Sequence, residues 1–179
     1  MINIRALDFS YPDSDFRLQI PEFTVGKQEK VAVIGPSGSG KTTLLNLVSG
    51  ILVPETGSVS CADTDVSDLS DTARRHFRIS NIGFVFQNFE LIDYLNVIDN
   101  VLHPYRITRA LKLTGDVRER AKQLLADMGL ADKTSRRVVS LSQGEKQRVA
   151  ICRALLPSPQ LVLADEATGN LDPRNKGHI

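Results

Sequence analysis

The sequence has no apolar run approaching the ~20 residues a helix needs to cross a bilayer, so the chain is not expected to span a membrane. Its opening, MINIRALDFSYPDSDF, puts charges and a proline where a secretory apolar core would stand. Nothing there marks it for export, and the cytosol is the expected compartment. Cysteine is scarce. Cys61 and Cys152 lie far apart without metal-ligand spacing, which fits reduced core thiols better than a disulfide framework. Charge of one sign is also lacking: 22 Lys and Arg against 21 Asp and Glu leave +1, so no overall field draws the chain to nucleic acid or anionic lipid. Specific sites must carry the function. There is no internal repeat and no low-complexity linker, and 179 residues suit one domain with a real core.

The first part of the chain is rich in strand signals. Residues 2–9 alternate apolar and polar, 16–25 do so loosely, and KVAVIG at 30–35 reads as a short buried strand. After a glycine-rich stretch, TTLLNLVSG has helical apolar spacing and stops at Gly50. Residues 57–61 and 81–86 are further strands, separated by the acid-rich 63–71 and by Arg74, Arg75 and Arg78, which read as solvated faces. From about 90 to 156 the period is helical. In 116–130, Val117, Ala121, Leu124, Leu125 and Met128 form one stripe, with Asp116 and Glu119 spaced as a capping box and Gly129 near the end. Another helix runs from about 143 to 156, stopped by Pro157, and QLVLA at 160–164 returns to a buried strand. The expected fold class is α/β, one domain over 1–179, with residues 1–88 and 157–179 as its core and about 89–156 as an inserted helical lobe.

Gly35-Pro36-Ser37-Gly38-Ser39-Gly40-Lys41-Thr42 matches the phosphate-loop pattern G-x-x-x-x-G-K-[ST] and stands between an expected strand and an expected helix, as that motif requires. Glycines let the backbone curl so that successive N–H groups face phosphate oxygens, and the helix start adds its positive dipole end. Lys41 is placed for the β- and γ-phosphates, Thr42 for Mg²⁺, and Thr43 follows in the same cradle. At the other end of the chain LVLADE delivers Asp165 to hold Mg²⁺ and Glu166 to polarise an attacking water. Alone, that pair is an acidic strand-to-loop junction; beside a phosphate loop it reads as the other half of a nucleotide site.

A third stretch, LSQGEKQRVAICRALL at 141–156, resembles the L-S-G-G-Q signature of ATP-binding cassette (ABC) ATPases, with Gln143 and Glu145 replacing its third and fifth residues. Ser142 and Glu145 are also spaced as a capping box, so a plain helix start is the structural alternative. The resemblance implies a P-loop NTPase core with a parallel sheet, an N-terminal antiparallel β segment and an inserted helical lobe. It implies ATP and Mg²⁺ as ligands, and a head-to-tail dimer in which Ser142 and Gly144 contact the γ-phosphate held by the other subunit. It implies further roles: Gln87 as the glutamine that reaches Mg²⁺ and the attacking water, and Tyr11 as the aromatic that stacks on adenine, where ordinary strand packing is the alternative. GNLD at 169–172 resembles the loop that puts Asp172 near the dimer interface. The run NFELIDYLNVIDNVLHPY resembles the groove that receives a helix of an integral membrane permease, or fills the lobe's own core. DEATGNLD is most like the lipoprotein-releasing and macrolide-export branch, where proline usually stands at the position of Ala167.

The likeness covers the chain but not the whole family domain. In the family a further helix and strand lead to a switch histidine. His178 is too near Glu166 to be that residue, and His76 and His103 precede the site. The resemblance therefore implies a chain incomplete at its C-terminal end, with the last core strands missing. The strand feeding the phosphate loop and the strand carrying Asp165 would be separated by a gap of about 10 Å. Such a sheet is expected to be poorly stable or slow in hydrolysis. The expected function is an ATP-hydrolysing transporter subunit on the cytoplasmic face of the membrane. The rivals are a soluble ABC ATPase, for which no basic patch or second cassette speaks, and a nucleotide-binding module that does not hydrolyse.

Overall fold

The computed structural model describes residues 2–165, which divide into two compact units after Arg78. Glu166, Asp172 and His178 lie outside the described residues, as does the GNLD stretch.

In the first unit the alternation of residues 2–9 becomes β1 (Ile2–Ser10), paired antiparallel with β2 (Arg17–Val25) on one side and with β3 (Thr56–Cys61) on the other, where β4 (Thr64–Asp65) completes a four-stranded sheet. The buried side chains of β1 are Ile2, Ile4, Leu7 and Phe9, so the alternation slips by one residue in mid-strand. A bulge absorbs the slip: Ala6 takes a left-handed φ of 46° and the β1–β3 register shifts between Arg5 and Asp8. Gly57 is needed opposite it, because a Cβ there would stand 2.3 Å from the Ala6 carbonyl oxygen.

Helix α1 (Lys41–Val48) follows the glycine-rich stretch and ends as its sequence predicts. Gly50, at φ 67°, donates to Leu47 O and Ile51 donates to Asn46 O, the paired bonds that satisfy a helix's last carbonyls. Helix α2 (Asp71–Asn81) corrects the reading of 63–78 as solvated charge. Asp71 does pair with Arg75 in solvent at 2.7 Å, but Arg78 is half-buried and donates to the Ser49 and Gly50 carbonyls.

The main departure is at 30–35. The expected buried strand does not form: no described strand pairs with it, and Val31, Val33 and Ile34 are 46%, 43% and 93% exposed. Apolar composition favours a strand only where a neighbouring strand pairs with its N–H and C=O groups, and none does among the described residues.

In the second unit β5 (Ile82–Val85) runs parallel to β6 (Leu161–Ala164), in register from Ile82–Leu161 to Val85–Ala164. All four residues of β5 are buried. Helix α6 (Gln143–Leu155) covers it closely, and a Cβ on Gly83 would lie 2.6 Å from the Ala154 carbonyl oxygen. β6 was expected to be buried on both faces, yet only Leu163 is; Val162 is 49% exposed. Its second edge has no partner strand among the described residues.

Helices α3 (Val97–Leu102), α4 (Pro104–Ile107) and α5 (Gly115–Asp127) pack with α6 around a core of Val97, Val101, Leu125, Leu130, Val138 and Val149, all fully buried. The stripe read from 116–130 faces that core, with Ala121 and Leu125 buried and Val117, Leu124 and Met128 packed against it. The capping box at Asp116 and Glu119 is displaced. The cap is Thr114, whose hydroxyl accepts from Val117 N, because Thr114 has the extended backbone a cap needs. Glu119 instead pairs with Lys122 at 2.7 Å. At the far end Gly129 (φ 69°) and Leu130 repeat the two-bond termination seen at Gly50. Asn100, fully buried, accepts from Ile92 N at 2.7 Å and donates to the Ile92 and Asn96 carbonyls, tying down a loop that lacks strand or helix bonds of its own.

Both cysteines are buried free thiols, as expected. Burial pushes Cys61 up to about 11 and Cys152 up to about 12, far from thiolate at neutral pH. No helix among the described residues is long and apolar enough to cross a membrane.

Candidate functional site

The residues of the expected nucleotide site fall in both units. In the first, Gly35–Gly40 form an exposed loop closing directly into α1. Gly38 and Gly40 take φ of 80° and 93°, which curls the chain into the helix start. Crowding also restricts Gly40, where a Cβ would lie 2.9 Å from the Phe16 ring, and Gly35, where it would lie 2.7 Å from Ser39 Oγ. Pro36 O accepts from Ser39 N at 3.3 Å, a tight turn that leaves Ser37 at its exposed tip.

The N-cap of α1 is Gly40, which brings no side chain of its own to the cap, so the loop meets the positive end of the helix dipole directly. Lys41 folds back over the loop and donates to the Gly35 and Pro36 carbonyls at 3.0 and 2.9 Å. Its charge thus sits over the curl, held among the described residues by these two neutral acceptors.

Thr42 is exposed at the first turn, while Thr43 is buried and its hydroxyl shares a 3.1 Å hydrogen bond with the Tyr11 hydroxyl. Tyr11 also packs edge-on against Phe9, with ring centroids 4.9 Å apart, and tilted against Phe16. It is 37% exposed, so strand-end packing leaves part of the side chain accessible.

In the second unit Gln87 stands exposed two residues past β5, in a tight turn. Asp165, at the end of the adjacent β6, is buried to 7% and its N–H donates to Val85 O at 3.0 Å. The parallel pairing of β5 and β6 therefore delivers both groups at the same end of that sheet.

Ser142 is the N-cap of α6. Glu145 N donates to its hydroxyl, and Glu145 Oε2 accepts from Ser142 N at 2.7 Å, a complete capping box. The sequence does not reveal what steadies Glu145: Lys133, twelve residues upstream, makes an ion pair with it. The bonds from Lys133 and from Ser142 N hold the Glu145 carboxyl down near 2, so it is an anion at any physiological pH. A Cβ at Gly144 would make an ordinary contact with Arg148 Nη1 at 3.7 Å, so crowding does not require glycine there. Gln143 and Lys146, on the first turn of α6, line a 240 Å³ cleft with Gln87, Asn88 and Asp93.

A curled glycine loop opening a helix with a lysine folded into it, two further groups at one end of a parallel strand pair, and a serine-capped helix start are the features the ABC resemblance implies. The family model described as ABC transporter matches residues 18–169. The chain belongs to the ABC transporter family. Within that family it is an ATP-binding domain of the ATP-hydrolysing kind.

Two ABC relatives are named lipoprotein-releasing system ATP-binding protein LolD. The one from Nitrobacter winogradskyi is 41% identical over 94% of this chain and 73% of its own length. The one from Nitrobacter hamburgensis is 42% identical over 84% of this chain and 64% of its own length. Among solved structures, a dimeric post-hydrolysis state of the cassette MJ0796 bound to ADP and Pi has a TM-score of 0.87 at 33% identity, covering 97% of this chain and 77% of that one. CbiO1 of Clostridium perfringens, part of the ABC transporter complex cbiONQ, has a TM-score of 0.82 at 30% identity, covering 97% and 68%. The likeness to these solved structures takes in this chain's mixed α/β fold, with its antiparallel N-terminal sheet and its parallel strand pair.

Proposed function

We propose that this ABC domain binds ATP with Mg²⁺ at its phosphate loop, pairs head-to-tail with a second ATP-binding subunit, and uses hydrolysis to drive an integral membrane permease from the cytoplasmic face. The observation that carries the reading is the phosphate loop itself. A glycine-curled loop, the dipole of the helix it opens and a lysine that among the described residues donates to its own loop's carbonyls form a site whose chemistry calls for a multiply charged anion.

The residues fit their proposed ligands. Gly35, Pro36, Ser37, Gly38, Ser39 and Gly40 supply the backbone cradle, Lys41 exchanges its two carbonyls for phosphate oxygens, and Thr43 anchors Tyr11 beside the loop for the adenine. Thr42, Gln87 and Asp165 offer the hard oxygen donors that suit Mg²⁺. When bound, the ion neutralises charge on the β- and γ-phosphates. Glu166 is the proposed base for the attacking water, with Gln87 helping to place that water.

Ser142 and Gly144 are assigned to the partner's γ-phosphate. The exposed Ser142 and Gln143 at the start of α6 support an approach by a second subunit. Lys133 supports the same reading, because it offsets the negative Glu145 that would otherwise face a phosphate. The mixed-charge cleft lined by Gln87, Asp93, Gln143 and Lys146 suits a helix end of the permease.

Titration calorimetry with ATP in the presence and absence of Mg²⁺ tests the reading. Magnesium-dependent binding is expected, weakened on the order of 100-fold or more in Lys41→Ala, which removes a charge-assisted phosphate contact. Equal affinity in Lys41→Ala, or no binding by the unaltered chain, overturns it.

A further inference from the structure

Two residues beyond Gln87 the chain takes a costly conformation. Phe89 and Glu90 stand in succession at φ 64° and 49°, the left-handed region, and neither is glycine. Each carries a penalty of about 1–2 kcal/mol, so the step persists only where its surroundings enforce it. Two contacts enforce it here. The Phe89 ring is buried in a cluster with Val85, Ala150 and Ala154. The guanidinium of Arg153 then grips the backbone from α6: Nη2 donates to Phe89 O and Nη1 to Glu90 O, each at 2.5 Å. A planar fork with two terminal donors matches two adjacent carbonyls in a way a lysine's point charge does not. Burial pushes the Arg153 pKa down, partly offset by the Glu90 carboxylate, so the group is held there against its own desolvation cost.

The helix that carries this clamp is also the helix Ser142 caps. We propose that Arg153 is a positioning residue for ATP hydrolysis, its fork holding the left-handed Phe89–Glu90 step so that Gln87 is presented in one place. This rests on the role proposed above for Gln87 and adds the device that fixes it. The clamp's bonds are to Phe89 and Glu90, so its loss is expected to separate turnover from ATP binding.

The test compares the unaltered protein with Arg153→Met, Arg153→Lys and Gln87→Ala by ATP titration, steady-state hydrolysis and amide hydrogen exchange over 86–92. In Arg153→Met, exchange at 89–91 is expected to rise about tenfold or more. kcat is expected to fall about tenfold, with KM and ATP affinity within about twofold, since a misplaced group costs rate rather than affinity. Arg153→Lys keeps the charge and most of the stem and is expected to fall between the two; it decides the matter if the Met variant does not fold. Adding Glu90→Gly to Arg153→Met relieves one left-handed penalty and is expected to recover part of kcat. Unchanged exchange, unchanged kcat, or a fall in kcat matched by a fall in ATP affinity overturns the proposal. A slow Gln87→Ala beside a normal Arg153→Met overturns the clamp alone, whereas a normal Gln87→Ala overturns the role of Gln87 and the clamp with it.

Discussion

The two units treat their apolar residues differently. In the second, Val97, Val101, Leu125, Leu130, Val138 and Val149 are fully covered, while in the first a run as apolar as Val31-Ala32-Val33-Ile34 stands in solvent. The difference is one of backbone chemistry. A helix satisfies its own N–H and C=O groups, so helices need only bring their stripes together. A strand has no complete ladder without a neighbour, and its side chains stay uncovered until a sheet forms beside it. β5 shows the contrast within one unit: with β6 beside it and α6 above, all four of its residues are buried.

The contrast can be broken most directly with core truncations. Leu125→Ala removes a fully buried side chain from the helical core and is expected to cost about 2–5 kcal/mol in denaturant unfolding followed in that unit. A cost below about 1 kcal/mol would mean that this core is loose.

The cysteines sharpen the comparison, because each unit holds one. Both thiols are buried and shifted upward, so alkylation at pH 8 proceeds only through opening. Cys61 is expected to label about tenfold or more faster than Cys152, since its unit covers less of its apolar surface. Labelling counted by mass spectrometry checks this, and equal rates would contradict the asymmetry.

A smaller effect concerns the α6 cap. The Glu145 carboxyl lies below its ordinary value, so its contribution is present above the unfolded value near 4.5 and is lost as pH falls toward 2. Lys133→Met is expected to move that loss to higher pH, reported by the Glu145 carboxyl resonance in an NMR titration. An unmoved titration would leave Lys133 without that part. Least of all, Ile34→Ser at a 93% exposed site is expected to change stability by no more than about 0.5 kcal/mol. A large loss would show that something covers this residue in solution.

Much of the site was legible because its chemistry is local. A phosphate loop needs glycines and a lysine at set intervals, and the Gly38 and Gly40 conformations and the Lys41 fold-back follow from neighbours within six residues. The Ser142–Glu145 box and the helix ends at Gly50 and Gly129 were readable for the same reason. The capping residue of α5 was misplaced because Asp116 and Thr114 offer equivalent caps, and only the extended backbone at Thr114 selects between them. Lys133, Arg78 and Arg153 went unread as supports, because each acts on a residue 12 or more positions away.

The sequence by itself determined conformations that close within one turn: the helix ends at Gly50 and Gly129, the Ser142–Glu145 box and the curl of the glycine loop. Tertiary structure alone decided whether KVAVIG became a strand, whether the β1 alternation could slip at Ala6, and which cation met Glu145. Helix ends and tight turns are closed by bonds to residues three to five positions away, so composition and spacing suffice for them. A sheet edge, a bulge and an ion pair are completed by groups remote along the chain, and only folding brings those into reach.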